Sequence, residues 1–570
     1  MKKITTIIEF LFMFLAIYFQ NIVDVSNISV YLYTVLLLIL INKTKDIKYD
    51  RTSIKFALIF SFMFTLGNLS KFDFQYTILS FIIVFIGWSL ILNRFIYLLD
   101  KILKKANVNE KNDNKIPLKR FMLISSIVGF VFFIPNLLRY YPGILTYDSE
   151  VQLKQVIGAL AYSNHHPIVH TMIIKLFFSI GYTLSGDMAV GVLAYTLFQM
   201  FVASITFSYV VYILYKNNIK SLYVALVWIF FFMFPFNQLY AITMWKDIIF
   251  SYLILVTCVY LWNHYYNNLK WSLKSKILFS TLSILICLMR SNGLYAYIFL
   301  IVVMFIIYRE EFKELAKPII AALICILLVK GPIMRYFKVT PPDLLESLSI
   351  PIQQLVYVVK QDENISKSEL NEIKKILDYD KLMSYKEDPI SYNVSDSTKN
   401  NIRDNNGLEY LEKNKLKFLK IWLNVGFKNP VSYVKAFVLQ TYGYWYHNYG
   451  PFWVYATYYP ADMKSGVSPI KVTLTNKLGD RLTKIVDGID SLAYDAYTEF
   501  WSLAMSFYVV LISLYIAIRK NNNVLPYLLP IDILLTLLIA TPVASEFRYA
   551  YAIFISAPIL LISSLSGRVL

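Results

Sequence analysis

The sequence predicts an all-α polytopic membrane protein, and three observations predict it. Hydrophobic residues make up 57% of the 570 residues and charged residues only 16%, with a mean hydropathy of +0.53. Apolar segments of roughly 17 to 25 residues, the length of a helix that crosses hydrocarbon, recur along most of the chain. The net charge of +18 falls mainly in short loops between those segments. That is the distribution of loops retained in the cytoplasm, not of a phosphate-binding face, so no nucleic acid is expected as a partner.

Taken in order, apolar segments cover 4–20, 28–41, 54–69, 76–98 and 121–138, then 188–215, 222–236, 248–262, 277–289, 293–308 and 318–334. Three more cover 500–518, 524–540 and 549–565, about fourteen spans in all. The chain therefore divides into a four-span extension (1–118), a transmembrane core (119–334) with an outer loop at 139–187, a mainly helical extracytoplasmic domain (335–499), and three closing spans (500–570). In the polar domain, Ser366 with Glu369 three residues on has capping-box spacing and starts a helix. Segments 408–425 and 430–439 also read as helices, the second opened by a proline.

With Lys2 and Lys3 in the cytoplasm, every loop predicted inside is basic. Lys101/Lys104/Lys105, Lys270/Lys274/Lys276 and Arg519/Lys520 are examples. The alternation holds only if 166–182 is a helix lying at the outer surface. That segment opens on His-Pro and carries His170 and Lys175, which hydrocarbon disfavours. Both termini are then cytoplasmic, and 140–187 and 335–499 lie outside. The abundance of Ile, Lys, Asn, Tyr and Phe matches an AT-rich bacterial genome, and the expected location is the bacterial cytoplasmic membrane. The opening Met1-Lys2-Lys3 imitates a signal peptide, but Glu9 and the lack of a small-residue cleavage site make it a retained anchor. Cys258, Cys287 and Cys325 all fall in apolar segments, so no disulfide framework is expected.

Chemistry concentrates in the outer loop, from Tyr140-Tyr141-Pro142-Gly143 through Asp148-Ser149-Glu150 to Asn164-His165-His166-Pro167. The chain has only 5 histidines, and two of them stand side by side here. Leu153, Val156, Ile157, Leu160 and Ala161 keep helical spacing, which suits an amphipathic helix on the bilayer surface. Ser149 with Gln152 makes a capping box that leaves Asp148 just outside the helix, its carboxylate free and favoured as an anion. The other reading makes Asp148 itself the N-cap. His165 and His166 either start the next helix with Pro167 at its first position or support the site. A divalent metal, Mg or Mn, on Asp148, Glu150 and His165 remains open, although adjacent side chains on a helix diverge.

Charges also gather at span ends: Trp245-Lys246-Asp247, Arg290-Ser291-Asn292 and Glu546-Phe547-Arg548-Tyr549. A charge at mid-helix costs about 2.5–3.5 kcal/mol on insertion scales and less toward the ends, so each group can be an anchor. Three such groups on one side point instead to an anion held at the membrane surface. Lys246, Arg290 and Arg548 suit a lipid phosphate, with Asp247 and Glu546 in support. The stretch 442–459 is about half aromatic. It reads either as an interfacial belt or as a platform on which Tyr442, Trp445, Tyr446 and Trp453 stack sugar or acceptor rings.

Pro142-Gly143, Asp148-Ser149-Glu150, Gln152 and His165-His166-Pro167 together resemble the GT-C superfamily of membrane glycosyltransferases, in a poorly characterised bacterial branch. Protein O-mannosyltransferases and lipid A aminoarabinose transferases are similar. The Trp245, Arg290 and Glu546 groups look like further motif blocks of that branch. The resemblance covers about 119–334 and the last span. It implies a GT-C-like core and inverting transfer of a sugar from a polyprenyl-phosphate donor to an acceptor hydroxyl on a cell-surface glycan, lipid or protein. It also implies that Asp148 is the general base and that Lys246, Arg290 and Arg548 hold the leaving phosphate. The mannosyltransferases carry adjacent acids where this chain has Asp148-Ser149-Glu150, and a proline pair where it has Pro167 alone, so the catalytic share of Glu150 stays open. The competing readings are a transporter or flippase of a lipid-linked glycan, which predicts charges at the bilayer midplane, and a glycan polymerase or ligase.

Overall fold

The computed structural model describes residues 2–20, 29–68, 78–103, 106–110, 116–361, 363–384, 394–447, 463 and 466–566. Among them every regular element is helical, and strand-like pairing is limited to isolated bridges. The chain forms two compact units: residues 1–107 with 350–446, and residues 108–349 with 447–570. The polar segment expected as one domain over 335–499 is thus shared between them.

In the first unit, α1 (Lys2–Phe19), α2 (Ser29–Lys43), α3 (Arg51–Gly67) and α4 (Ile78–Leu103) correspond to the four leading apolar segments. Asp50 starts α3 by accepting from the Thr52 and Ser53 amides. The buried Arg94 of α4 is matched by Glu9 and Thr44, as a charge among apolar side chains requires. In 350–446, Ser366 and Glu369 form the expected capping box. The helix expected over 408–425 is two, Gly407–Lys413 and Lys415–Lys428, because Asn414 turns out of helical conformation and donates its side-chain amide to the Tyr410 carbonyl at 2.9 Å.

The described part of the aromatic stretch differs from the expected stacking platform. Trp445 and Tyr446 are buried. Trp445 donates to the Thr441 hydroxyl and Tyr446 to Asn68, so these rings are core and offer no stacking face. Tyr442 lies in the same half-buried turn. Trp453 is outside the described residues.

The second unit holds α5 (Leu118–Arg139), α6 (Tyr147–Val156), α7 (Ile168–Ser185), α8 (Met188–Lys216), α9 (Ser221–Met233) and α10 (Pro235–Ala241). It continues with α11 (Lys246–Tyr266), α12 (Leu273–Met289), α13 (Ser291–Ile307) and α14 (Arg309–Leu328), then α15 (Asp480–Phe500), α16 (Leu503–Arg519), α17 (Leu525–Ala540) and α18 (Phe547–Leu565). Among the described residues of the whole chain, six helices are long and apolar enough to cross a membrane, or eight when each of two bent pairs counts once. The protein is membrane-embedded. Leu123, Ile127 and Val131 of α5 stand more than half exposed, as side chains that meet lipid do.

α5 and α8 run antiparallel. Phe121 stacks on Tyr215 at one end, Ser125 meets Ser208 near the middle at 2.8 Å, and the loop after α5 meets Thr196 at the other end. The chain therefore leaves α5 and enters α8 at the same end of the bundle. α7 has the length and hydropathy of a span and lies within that return segment.

The segment 222–236 is not one helix. α9 stops at Met233 and α10 restarts at Pro235, bent by 51°. A proline cannot donate to the preceding turn, so the carbonyls it frees need other partners. Asn237 supplies one for Phe230 at 2.7 Å, and Gln238 serves Phe232 while also reaching the Phe132 carbonyl of α5. This break turns the chain across the bundle end and sets up the site.

Candidate functional site

The site is built where two loops pair. The Ile144 amide donates to the Ile242 carbonyl at 2.9 Å, and the Met244 amide donates to the Ile144 carbonyl at 3.0 Å. That short bridge lays the start of α6 beside the start of α11. The approach is tight at Gly143, where φ is +138° and an added Cβ would lie 2.3 Å from Thr196 Oγ1. Gly143→Ala is therefore expected to destabilise by about 1–3 kcal/mol, read as a lower melting temperature of the solubilised protein. An unchanged melting temperature would show that the loop has slack.

The capping of α6 differs from expectation. Thr146, not Ser149, is the N-cap, and Ser149 is the third helical residue of the box. The Ser149 hydroxyl accepts from the Thr146 amide and donates to the Met244 carbonyl at 2.7 Å. Trp245 Nε1 donates to Thr146 Oγ1 at 2.7 Å. Asp148 thus lies in the first helical turn, its carboxylate not consumed by capping. α6 also ends earlier than the apolar spacing suggested, at Val156. Gly158 then takes a left-handed conformation (φ +79°), a common helix stop, and Leu160 and Ala161 fall beyond it.

One oxygen of Asp148 receives both Lys246 Nζ and Arg548 Nη1, each at 2.8 Å. These partners lie 98 and 400 residues away in sequence. Lys246 is the first residue of α11, Asp148 the second of α6 and Arg548 the second of α18, so three helix N-termini with their partial positive charge meet here. His166 Nδ1 sits 3.2 Å from Lys246 Nζ and 3.9 Å from Asp148 Oδ2. Burial and then Lys246 push His166 down to about 2, so its ring is neutral and accepts from the lysine. Burial would raise Asp148, but Arg548 and Lys246, with His166, hold it well below the usual carboxylate range. The side chain keeps 22% of its surface open, which leaves it reachable.

A second ionic layer lies behind. Arg290 Nη1 is 2.9 Å from the fully buried Asp247, and Arg548 Nε is 3.2 Å from Glu546. The Arg290–Asp247 contact is ionic without aligned hydrogen bonds. Burial, only partly offset by Arg548, raises Glu546 to about 7. Below that pH three cations face two carboxylates, a balance that favours an added anion. Arg548 lies over the Trp245 and Tyr549 rings at 5.0 Å each, and Arg290 over Tyr549 at 4.5 Å, contacts that hold guanidinium planes in place.

The set expected from the sequence is Asp148 with Lys246, Arg290 and Arg548, supported by His165, His166, Asp247 and Glu546. The structure brings Lys246, Arg548 and His166 to Asp148 and Glu546 to Arg548, with Arg290 on Asp247 behind them. Glu150 is different: buried, it pairs with Lys154 one turn along α6 at 2.8 Å. His165 packs edge-on against His166. Among the described residues no group of three or more His, Cys, Asp or Glu is gathered as a metal site, and of the residues considered for Mg or Mn, Glu150 is turned to Lys154.

What sequence reasoning missed is the buried polar chain that holds α6 in place. Gln152 donates to Thr171 at 2.8 Å and meets His170 Nδ1 at 3.1 Å. His170 Nε2 meets the Tyr195 hydroxyl at 2.7 Å, and that hydroxyl donates to Gln199. Gln199 then donates to the carbonyls of Tyr240, Ala241 and Thr243. The available signal was a lone histidine and two glutamines inside apolar segments.

Fold and site together define a helical membrane protein with an anion-attracting charged cluster at one end of its bundle. The model of a family of unknown function, DUF6020, matches residues 158–568, and the chain belongs to that family. The match includes Lys246, Arg290 and Arg548 and starts after Asp148. No curated protein and no solved structure matches the chain.

Proposed function

We propose that this protein is a GT-C-type inverting glycosyltransferase of the bacterial cytoplasmic membrane, with about fourteen spans and cytoplasmic termini. It moves a sugar from a polyprenyl-phosphate donor to an acceptor hydroxyl on a glycan, lipid or protein at the extracytoplasmic face. The observation that carries this reading is the single Asp148 oxygen shared by Lys246 and Arg548 among three helix N-termini.

In the transfer, the acceptor oxygen bonds to the anomeric carbon as its proton passes to Asp148. The bond from that carbon to the phosphate oxygen breaks, and the polyprenyl phosphate leaves with the electron pair. Lys246 and Arg548 bear the charge that develops on the phosphate. Arg290 is already matched by Asp247, so its contribution is through field and through holding Tyr549. An aspartate held far below the usual range is a weak base. A donor phosphate that draws Lys246 and Arg548 toward itself raises Asp148's basicity when the sugar is in place. No step is routed through a metal.

The cluster at helix ends supports an enzyme over a carrier, whose charges belong near the midplane. The test is purified full-length protein in nanodiscs with a panel of polyprenyl-phosphate sugars and candidate acceptors, reading release of polyprenyl phosphate. Turnover supports the reading; movement of an intact donor across vesicles without cleavage replaces it with a flippase.

A pH dependence follows from Glu546. Protonated below about 7, it ionises above and places a third carboxylate beside Asp148 and Asp247. Donor binding is therefore expected to weaken as pH rises from 6 to 8, and Glu546→Gln to flatten that dependence. Titration of donor affinity against pH checks this, and an equal slope in wild type and variant would contradict it.

A further inference from the structure

α15 lies in a segment expected to belong to a water-soluble domain, and its surface does not fit water. Around the helix three faces separate. Asp487, Asp490 and Tyr497 turn to the protein: Arg139, the last residue of α5, grips Asp487 through two bonds of 2.7 and 3.0 Å. Tyr497 packs on Phe236 of α10 and Phe547 of α18. A second face, with Arg481, Lys484, Ser491 and Asp495, is polar and exposed. The third is a row at helical spacing, Leu482, Ile485, Ile489 and Leu492, exposed by 55, 50, 51 and 71%.

We propose that α15 is an interfacial helix, lying in the headgroup layer of the bilayer with Leu482, Ile485, Ile489 and Leu492 dipped into the acyl chains. Three observations select lipid as the occupant. The helix is clasped to the terminal residue of α5, an apolar helix with the length of a span, which puts it at the level where hydrocarbon ends. It is bent 66° from α16, so it crosses the spanning direction steeply instead of continuing along it. Its exposed surface divides into an apolar row and a charged face, as a helix half in lipid and half in water requires, and Arg481 and Lys484 suit anionic headgroups. Seven charged residues within α15 bar it from crossing on its own. Tyr497 touches Phe547, next to Arg548, so α15 also sets the charged cluster at headgroup depth. The inference stands whether or not the protein transfers sugars.

The test uses full-length protein with Cys325 replaced and a single environment-sensitive fluorophore on a cysteine at Ile485, Ile489, Leu492, Ser491 or Asp495. It is reconstituted in phosphatidylcholine–phosphatidylglycerol vesicles. Labels at 485, 489 and 492 are expected to emit blue-shifted light and to be quenched several-fold more by brominated lipid than labels at 491 and 495, which iodide quenches instead. Because all five positions are exposed, the labelled chains are expected to fold, and their melting temperatures check this. Iodide quenching at 489 and 492 as strong as at 495 would overturn the proposal by placing the row in water. Shielding from both quenchers would overturn it in favour of a protein covering the row.

Discussion

Asp148→Asn is expected to leave a folded, membrane-inserted protein that no longer transfers sugar, with turnover down by about 10²–10⁴-fold, the usual worth of a positioned general base. The substitution keeps the shape of the side chain. It removes the charge that Lys246 and Arg548 share, but neither cation is stranded. Arg548 keeps Glu546 as a carboxylate above about pH 7 and the Trp245 and Tyr549 rings at any pH, and Lys246 keeps the neutral His166 ring. Donor affinity is expected to hold or rise, because the phosphate no longer competes with a carboxylate for the two cations. Parallel measurement of turnover and donor binding checks both, and retained turnover would remove Asp148 from the chemistry.

Arg548→Met has the second large expected effect, and it acts on stability as well as rate. The guanidinium answers Asp148 and Glu546 at once and lies over Trp245 and Tyr549. Removing one partner of a buried ionic group costs about 3–5 kcal/mol, so a clear drop in melting temperature is expected. Loss of a preorganised donor to the phosphate adds a fall of about 10²–10³ in turnover. Arg548→Lys separates the two effects: it restores charge and much of the stability, but a single ammonium cannot span both carboxylates as the planar fork does. Turnover should therefore recover less than stability. Equal recovery would mean that charge alone matters at this position.

The sequence made the charged cluster legible because a charge at the end of an apolar segment stands out against hydrocarbon. Lys246, Arg290 and Arg548 stand out on that ground, although Arg548 is 400 residues from Asp148. What stayed hidden was set by tertiary contact. Ser149 has the spacing of an N-cap, yet its hydroxyl accepts from the Thr146 amide and donates to the Met244 carbonyl, and Thr146 caps instead. His165 and His166 are indistinguishable as neighbours; only the arrival of Lys246 singles out the second. By composition Trp445 and Tyr446 fit an interfacial belt, a stacking platform or a core equally well. Proximity to Asn68 and Gly67 decides for core. The apolar row of α15 was concealed by its seven charges, which lower the average hydropathy of a helix whose faces differ.

The most direct measurement is a structure of the full-length protein with polyprenyl monophosphate in a nanodisc. The phosphate is expected within hydrogen-bond reach of Lys246 Nζ and the Arg548 guanidinium, with Asp148 drawn away from at least one of them. A phosphate bound elsewhere, with Lys246 and Arg548 still closed on Asp148, would contradict the proposed role of the cluster.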